Sequence, residues 1–243
     1  MKFDDLDNQM RVFETSADFC VLPGIYITAR LDGRNFTRLT KETAKFEAPF
    51  DIKFRDLMVE TTKHLMNCGF KVIYGYTQSD EISLLFDFDI DLFGRKIRKY
   101  NSILAGEASA KFTLLFNDIG VFDCRICQLP NIETVIDYFR WRSEDAHRNA
   151  LNAHCYWMLR KNDMDKKEAA KFIENKSVAD KNELLFQGGI NFNDTPNWQK
   201  RGIGLYWQKE EKNTIKIDYE LPMRDEYNAF IAKLLKGEVK SEE

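Results

Sequence analysis

Lys71-Val-Ile-Tyr-Gly-Tyr-Thr-Gln-Ser-Asp-Glu-Ile-Ser-Leu-Leu-Phe86 reads as two strands, 71–76 and 81–86, folded about the short turn Thr77-Gln-Ser-Asp80. Upstream of it, Phe50, Phe54, Leu57, Met58, Thr61 and Leu65 recur at helical spacing after Pro49, and Gly69 stops that helix as a C′ residue does. Earlier still, Gly24-Ile-Tyr-Ile-Thr-Ala-Arg-Leu31 is a strand that stops at Asp32-Gly33. Downstream, Ile97, Tyr100, Ile103, Leu104, Ala108, Phe112 and Leu115 mark a second helix, and a fourth strand runs from Val121 to Leu129 before Pro130. The order β-α-β-β-α-β is the split βαβ pattern of a ferredoxin-like α+β fold. Polymerase palms and nucleotide cyclases use this scaffold, but so do many unrelated proteins, so the fold alone decides no function.

From Asn131, a natural N-cap, the chain reads as mainly helical, with Ile132, Val135, Ile136 and Phe139 on an inward face. Two strand-like pieces, Ile203–Trp207 and Thr214–Tyr219, and a helix from Asp225 to Leu235 complete it. The expected organisation is a palm-like core over residues 1–130 and an accessory helical arm over 131–243 packed on it, as a single structural unit.

Composition narrows the field. With 44% hydrophobic and 31% charged residues in 243, the chain has enough apolar material for a core and is not a disordered one. No apolar run approaches the roughly 18–20 residues that span a bilayer. Met1 to Asp7 carries three aspartates and no apolar run, unlike a secretory signal. Five cysteines form no framework, which fits a reducing cytoplasm. Cys124 and Cys127 have ligand-like spacing, but no second pair completes a zinc site, and Phe122, Cys124 and Ile126 alternate as a buried strand face. We expect core cysteines there.

Net charge is −3, against indiscriminate coating of nucleic acid. Its distribution is uneven. Residues 92–112 hold Arg95, Lys96, Arg98, Lys99 and Lys111 against Glu107 alone. Residues 140–161 hold Arg140, Arg142, Arg148, Arg160 and Lys161 against Glu144 and Asp145. Such stripes serve either as solvated helix faces or as a directed contact with a polyanion, and charge alone does not separate the two. Trp141 and Trp157 within the second stripe read as core, with some of the arginines reaching RNA.

The chemistry lies in two acidic sites at strand ends, Asp32 and Asp80-Glu81. Taken singly, Asp32-Gly33 is a plain hairpin sequence and Asp80-Glu81 an exposed turn. Taken together on this element order, they bring two carboxylates within a few ångströms, where they repel unless cations lie between them. Mg²⁺ suits such oxygens, completed by water, substrate phosphates and the Gly33 carbonyl. Two metals there activate an attacking oxygen and stabilise a pyrophosphate leaving group.

Arg30-Leu-Asp-Gly-Arg-Asn-Phe36 and Tyr74-Gly-Tyr-Thr-Gln-Ser-Asp-Glu-Ile-Ser83 closely resemble the two catalytic motifs of the histidine-tRNA guanylyltransferase family. Tyr138-Phe-Arg-Trp-Arg142, Ala179-Asp-Lys-Asn-Glu-Leu-Leu-Phe186 and Arg201-Gly-Ile-Gly-Leu-Tyr-Trp207 match further motifs in order, so the resemblance covers about residues 20–207. It implies nucleotide addition to the 5′ end of tRNA in the 3′-to-5′ direction, after ATP or GTP activates that end, with two Mg²⁺ held by Asp32, Gly33 and Asp80. It also implies roles in activity for Ser79 and Glu81. Arg30, Arg34, Asn35, Phe36, Lys45, Arg95, Lys96 and Lys99 would bind the nucleotide and its triphosphate. Arg140, Arg142, His147, Arg148, Asn149, Asn152 and Lys181 would bind tRNA. A homotetramer is the implied assembly.

Two departures stand out. Histidine-tRNA-specific members carry His-Ile-Asn-Asn-Leu-Tyr-Asn after the Trp-Arg motif, and this chain has His147-Arg-Asn-Ala-Leu-Asn-Ala153. Four positions are lost, which resembles the guanylyltransferase-like branch of bacteria and archaea that repairs truncated tRNA 5′ ends. Relatives also carry Lys before the Pro of Lys45-Phe-Glu-Ala-Pro-Phe-Asp51, where this chain has Ala48. Lys45 is the candidate to compensate. A palm-type nucleotidyl cyclase shares the aspartate pair but has no use for the basic arm. A catalytically impaired tRNA-binding protein is the reading that Ala48 keeps open, and the retained acidic residues oppose it.

Overall fold

A computed structural model describes residues 2–208 and 214–237. The elements run α1 (Phe3–Thr15), β1 (Tyr26–Gly33), α2 (Phe36–Arg38), α3 (Ile52–Asn67), β2 (Val72–Gln78), β3 (Glu81–Phe86), α4 (Ile97–Phe116), β4 (Phe122–Leu129) and α5 (Ile132–Lys161). After these come α6 (Lys166–Glu174), α7 (Val178–Gln187), α8 (Asn197–Arg201), β5 (Ile203–Trp207), β6 (Ile215–Asp218) and α9 (Arg224–Leu235). A wide π turn, Leu39–Thr43, follows α2.

Local chemistry sets the helix boundaries. The Asp51 carboxylate accepts from the Lys53 and Phe54 amides at 2.7 and 3.3 Å, capping α3. Gly69, at φ 94°, lets the chain leave that helix. Asn131 caps α5 in a reciprocal box with Thr134, at 2.9 and 3.3 Å.

The strands form one six-stranded antiparallel sheet, ordered β4-β1-β3-β2-β5-β6. Its first four strands have the expected palm order. The last two come from the C-terminal half, so the region after residue 131 is not purely a helical arm: between α8 and α9 it completes the sheet of the palm. Such edge pairing depends on partners far off in sequence, which periodicity does not specify. The helix α1 was not expected either. It buries none of its side chains, and Phe3, Met10 and Phe13 stand exposed.

Period-2 alternation divides the sheet. Ile27, Ala29 and Leu31 of β1 and Ile82, Leu84 and Phe86 of β3 pack in a core that includes Met58 and Leu65 of α3 and Leu104 and Phe112 of α4. On the other face Tyr74, Tyr76 and Leu85 pack on Val135, Phe139 and Tyr227 from α5 and α9. Cys124 lies with the first core and Cys127 with the second, and burial pushes the Cys124 thiol up to about 12. Both are free thiols, as are the other three cysteines. The core reading of this pair stands.

Candidate active site

Asp32 falls on the sheet face that looks toward α5, two residues after Arg30. It pairs in register with Glu81 of β3 on one side and Asp123 of β4 on the other. The strand β3 thus lies between β1 and β2, and Asp80 reaches Asp32 through the hairpin turn rather than across adjacent strands. Strand β2 runs on to Gln78, leaving the two-residue loop Ser79-Asp80, with Ser79 at φ 53°. The Gly33 amide donates to the Asp80 carbonyl at 3.0 Å, which ties the end of β1 to that loop. Asp32-Gly33 is therefore no hairpin. A Cβ at Gly33 would come within 2.5 Å of the Phe36 ring, so glycine is required for the chain to turn over this core residue.

No hydrogen bond or ion pair among the described residues engages the Asp32 carboxylate. Ser79 donates to Asp80 Oδ1 at 3.2 Å. Burial pushes the Asp80 carboxyl above its ordinary range, and the Asp32 charge adds to the rise. Glu81 differs. It lies between Arg30 and Arg142, each 2.9 Å away, and burial outweighs both guanidinium charges in raising its carboxyl. Glu81 thus anchors α5 to the sheet.

These groups line a cleft of about 380 Å³ between the sheet and α5, which Tyr76, Asp145, Asn149 and Trp157 also border. Arg142, Asp145, Ala146, Asn149 and Ala153 come at helical spacing, a signal by which the α5 face could have been found in the sequence. Beside the cleft, a cavity of about 140 Å³ is walled by Phe36, Thr40, Phe54 and Met58 and opens at Ser79-Asp80. Pro49, Phe50, Gln78 and Lys41 border both spaces.

Several expected site residues lie elsewhere. Arg95 is buried and donates to the Ile25 carbonyl, Lys96 pairs with Asp18 at 2.9 Å, and Lys99 stands over the Phe93 ring. All three gather at the start of β1, the end opposite Asp32, because α4 begins where β3 ends. The single chain does not bring them to the cleft. Arg142 is 4% exposed and committed to Glu81, so it is no free RNA contact. Arg30 is likewise ion-paired, Lys45 is exposed and lines neither space, and Arg34 and Asn35 are exposed just beyond β1.

Along the arm, Arg148 is exposed and pairs with Asp145, and Asn149 donates to Asp145 at 3.2 Å. Asn152 borders an open groove with Tyr156, Trp157, Lys167 and Lys171. Lys181 is half-buried on α7. Arg140 and His147 border a separate pocket with Arg201 and Arg224, and burial lowers the His147 pKa, helped by Lys200 and Arg201. The core expectation fails for Trp141, which is 53% exposed beneath the Arg142 guanidinium at 3.5 Å. Trp157 is half-buried and borders the cleft.

Residues 7–130 match the family model described as tRNAHis guanylyltransferase, and residues 133–241 match that of the Thg1 C terminal domain. The chain belongs to the tRNA(His) guanylyltransferase family. It is a nucleotidyltransferase. Among its relatives, the probable tRNA(His) guanylyltransferase of Mus musculus is 31% identical over 90% of this chain and 77% of its own length. The probable enzyme of Bos taurus is 32% identical over 88% and 74%. A bacterial tRNA(His) guanylyltransferase (Thg1)-like protein, solved in complex with ATP, superposes with a TM-score of 0.80 at 26% identity, covering 95% of this chain and 99% of that one. The tRNA(His) guanylyltransferase of Saccharomyces cerevisiae gives 0.74 at 27% identity, covering 80% and 91%. Asp32 and Asp80 lie on the palm sheet of this fold, at the cleft that α5 covers.

Proposed function

We propose that this member of the family adds nucleotides to the 5′ end of tRNA, most of all to truncated tRNA, by 3′-to-5′ nucleotidyl transfer. The carrying observation is that Asp32 and Asp80, neither ion-paired among the described residues, border the cleft beside a cavity large enough for a base. ATP or GTP places its base in the cavity among Phe36, Thr40 and Phe54, with its phosphates toward the two aspartates. An oxygen of the RNA 5′-monophosphate attacks the α-phosphorus and releases pyrophosphate, leaving a 5′–5′ linkage. The 3′-hydroxyl of an incoming nucleotide then attacks the activated 5′ phosphorus and releases the nucleoside monophosphate. The protein supplies orientation and charge, and nothing covalent is required of it.

The donor set fits magnesium. Two carboxylates and a nearby backbone carbonyl are hard oxygen ligands. Among the described residues no third His, Cys, Asp or Glu closes a cage around them, so water and substrate phosphate would have to complete the coordination. Two Mg²⁺ held by Asp32, Asp80 and Gly33 would stabilise charge on the attacking and leaving oxygens. Ser79 orients Asp80, and Glu81 holds α5 at the working distance. In this reading Arg34 and Asn35, exposed just beyond β1, would meet the nucleotide, and Arg140, Arg148, Asn149, Asn152 and Lys181 would meet the tRNA backbone.

The altered motif at His147–Ala153 supports the repair branch over the histidine-specific one. A homotetramer is the proposed assembly, and a neighbouring subunit would give α1 the packing surface it lacks in the single chain. The free thiols fit the cytoplasm. Incubation with Mg²⁺, labelled nucleotides and 5′-truncated tRNA tests the reading directly. Templated extension supports it, and cyclic nucleotide or RNA binding without turnover overturns it.

A further inference from the structure

We propose that Lys41 is the phosphate-binding cation of the catalytic cleft. The inference rests on the nucleotide reading of the cavity. Position 48 is alanine, and Lys45 turns away at φ 51°, exposed and bordering neither space.

Four basic residues among those described border the cavity or the cleft: Arg30, Lys41, Arg55 and Arg142. Three are committed. Arg30 and Arg142 hold Glu81, while Arg55 pairs with Asp56 at 2.7 Å and lies against the Trp198 and Tyr219 rings. Lys41 makes no ion pair among the described residues. Its ammonium stands 5.3 Å from the centre of the Trp157 ring, so the side chain reaches from its turn toward α5. It also borders both spaces, and a triphosphate running from the cavity to Asp32 and Asp80 passes it.

The backbone that carries Lys41 is unusual. Leu39–Thr43 is a π turn, closed by the Ala44 amide donating to the Leu39 carbonyl at 2.8 Å. One-turn π insertions concentrate at functional sites. Burial lowers the Lys41 pKa, with Asp51 the carboxylate that opposes the shift. A half-buried ammonium with no direct ion pair among the described residues bears a desolvation penalty that a phosphate would relieve.

Calorimetric titration of the full chain with ATP and Mg²⁺, and separately with adenosine, distinguishes a phosphate contact from a structural role. Lys41→Met should weaken ATP at least tenfold and leave adenosine unchanged. Lys41→Arg should retain most of the ATP affinity. Unchanged ATP affinity in Lys41→Met, or equal loss of ATP and adenosine, overturns the assignment. A parent protein that binds neither overturns the nucleotide reading of the cavity and this assignment with it. A parent that binds both, with Lys41→Met indistinguishable from it, overturns Lys41 alone.

Discussion

The Glu81 carboxylate accepts two hydrogen bonds from Nη1 of Arg142, at 2.9 and 3.3 Å, and so fastens α5 to the sheet beside the two aspartates. Removing one partner of a buried pair costs about 3–5 kcal/mol, because the other charge is left uncompensated. Asp145 remains 3.6 Å from Arg142, but Arg30 keeps no other ion pair among the described residues, so Glu81→Ala should cost about 3–5 kcal/mol. Urea denaturation should show that loss, with a smaller drop in turnover than either aspartate variant gives. Unaltered stability would remove Glu81 from the anchoring role.

Asp32 has the opposite profile. No described group holds its carboxylate, so Asp32→Ala should change stability by less than about 0.5 kcal/mol. Turnover should nevertheless fall by more than about 100-fold, since outer partners of a metal site already cost 10–100-fold. Asp80→Ala should lose activity to the same degree. Single-turnover assays beside thermal melts check both, and substantial turnover by either folded variant contradicts the shared metal site.

Asp18 gives a pH-dependent signature far from the cleft. Its hydrogen bond with Arg98, then that with Lys96, holds its carboxyl down to about 2. A depressed carboxyl stabilises the fold above its unfolded value, near 3.9, and loses that contribution as pH falls toward the folded one. Amide protection at Val21 and Ile97, whose N–H groups bridge residues 19–21 to residues 95–97, should therefore weaken between about pH 4 and pH 2. Asp18→Asn should show the weakened protection at every pH. Hydrogen exchange followed by NMR measures it.

Substrate choice should follow template pairing and ignore the histidine anticodon. Mismatch in a closed site leaves donors and acceptors unpaired, which discriminates strongly. Truncated tRNAs that differ only in anticodon should react alike, and those that differ in the templating base should direct which nucleotide is added. An anticodon effect without a templating effect would place the chain with the histidine-specific enzymes.

Sequence by itself determined the elements of the palm and the residues at their ends. Alternation of Ile27, Ala29 and Leu31, the helical spacing from Phe54 to Leu65, and the Asn131 cap are local properties, because each depends on neighbours within four residues. Asp32 and Asp80 were legible for the same reason, since turn and strand-end chemistry is written in adjacent residues. The tertiary structure alone decided which cations at the cleft are ion-paired and which, among the described residues, are not. Arg30 and Arg142 looked available for phosphates until α5 crossed the sheet and set them on Glu81. Lys96 and Lys99 belonged to a basic stripe that the return of α4 left at the far end of β1. Lys41 carried no motif, and only the π turn and the approach of Trp157 placed it at the cleft. Charges find their partners across long chain separations, so strand order and helix crossing fix those pairings and local pattern does not.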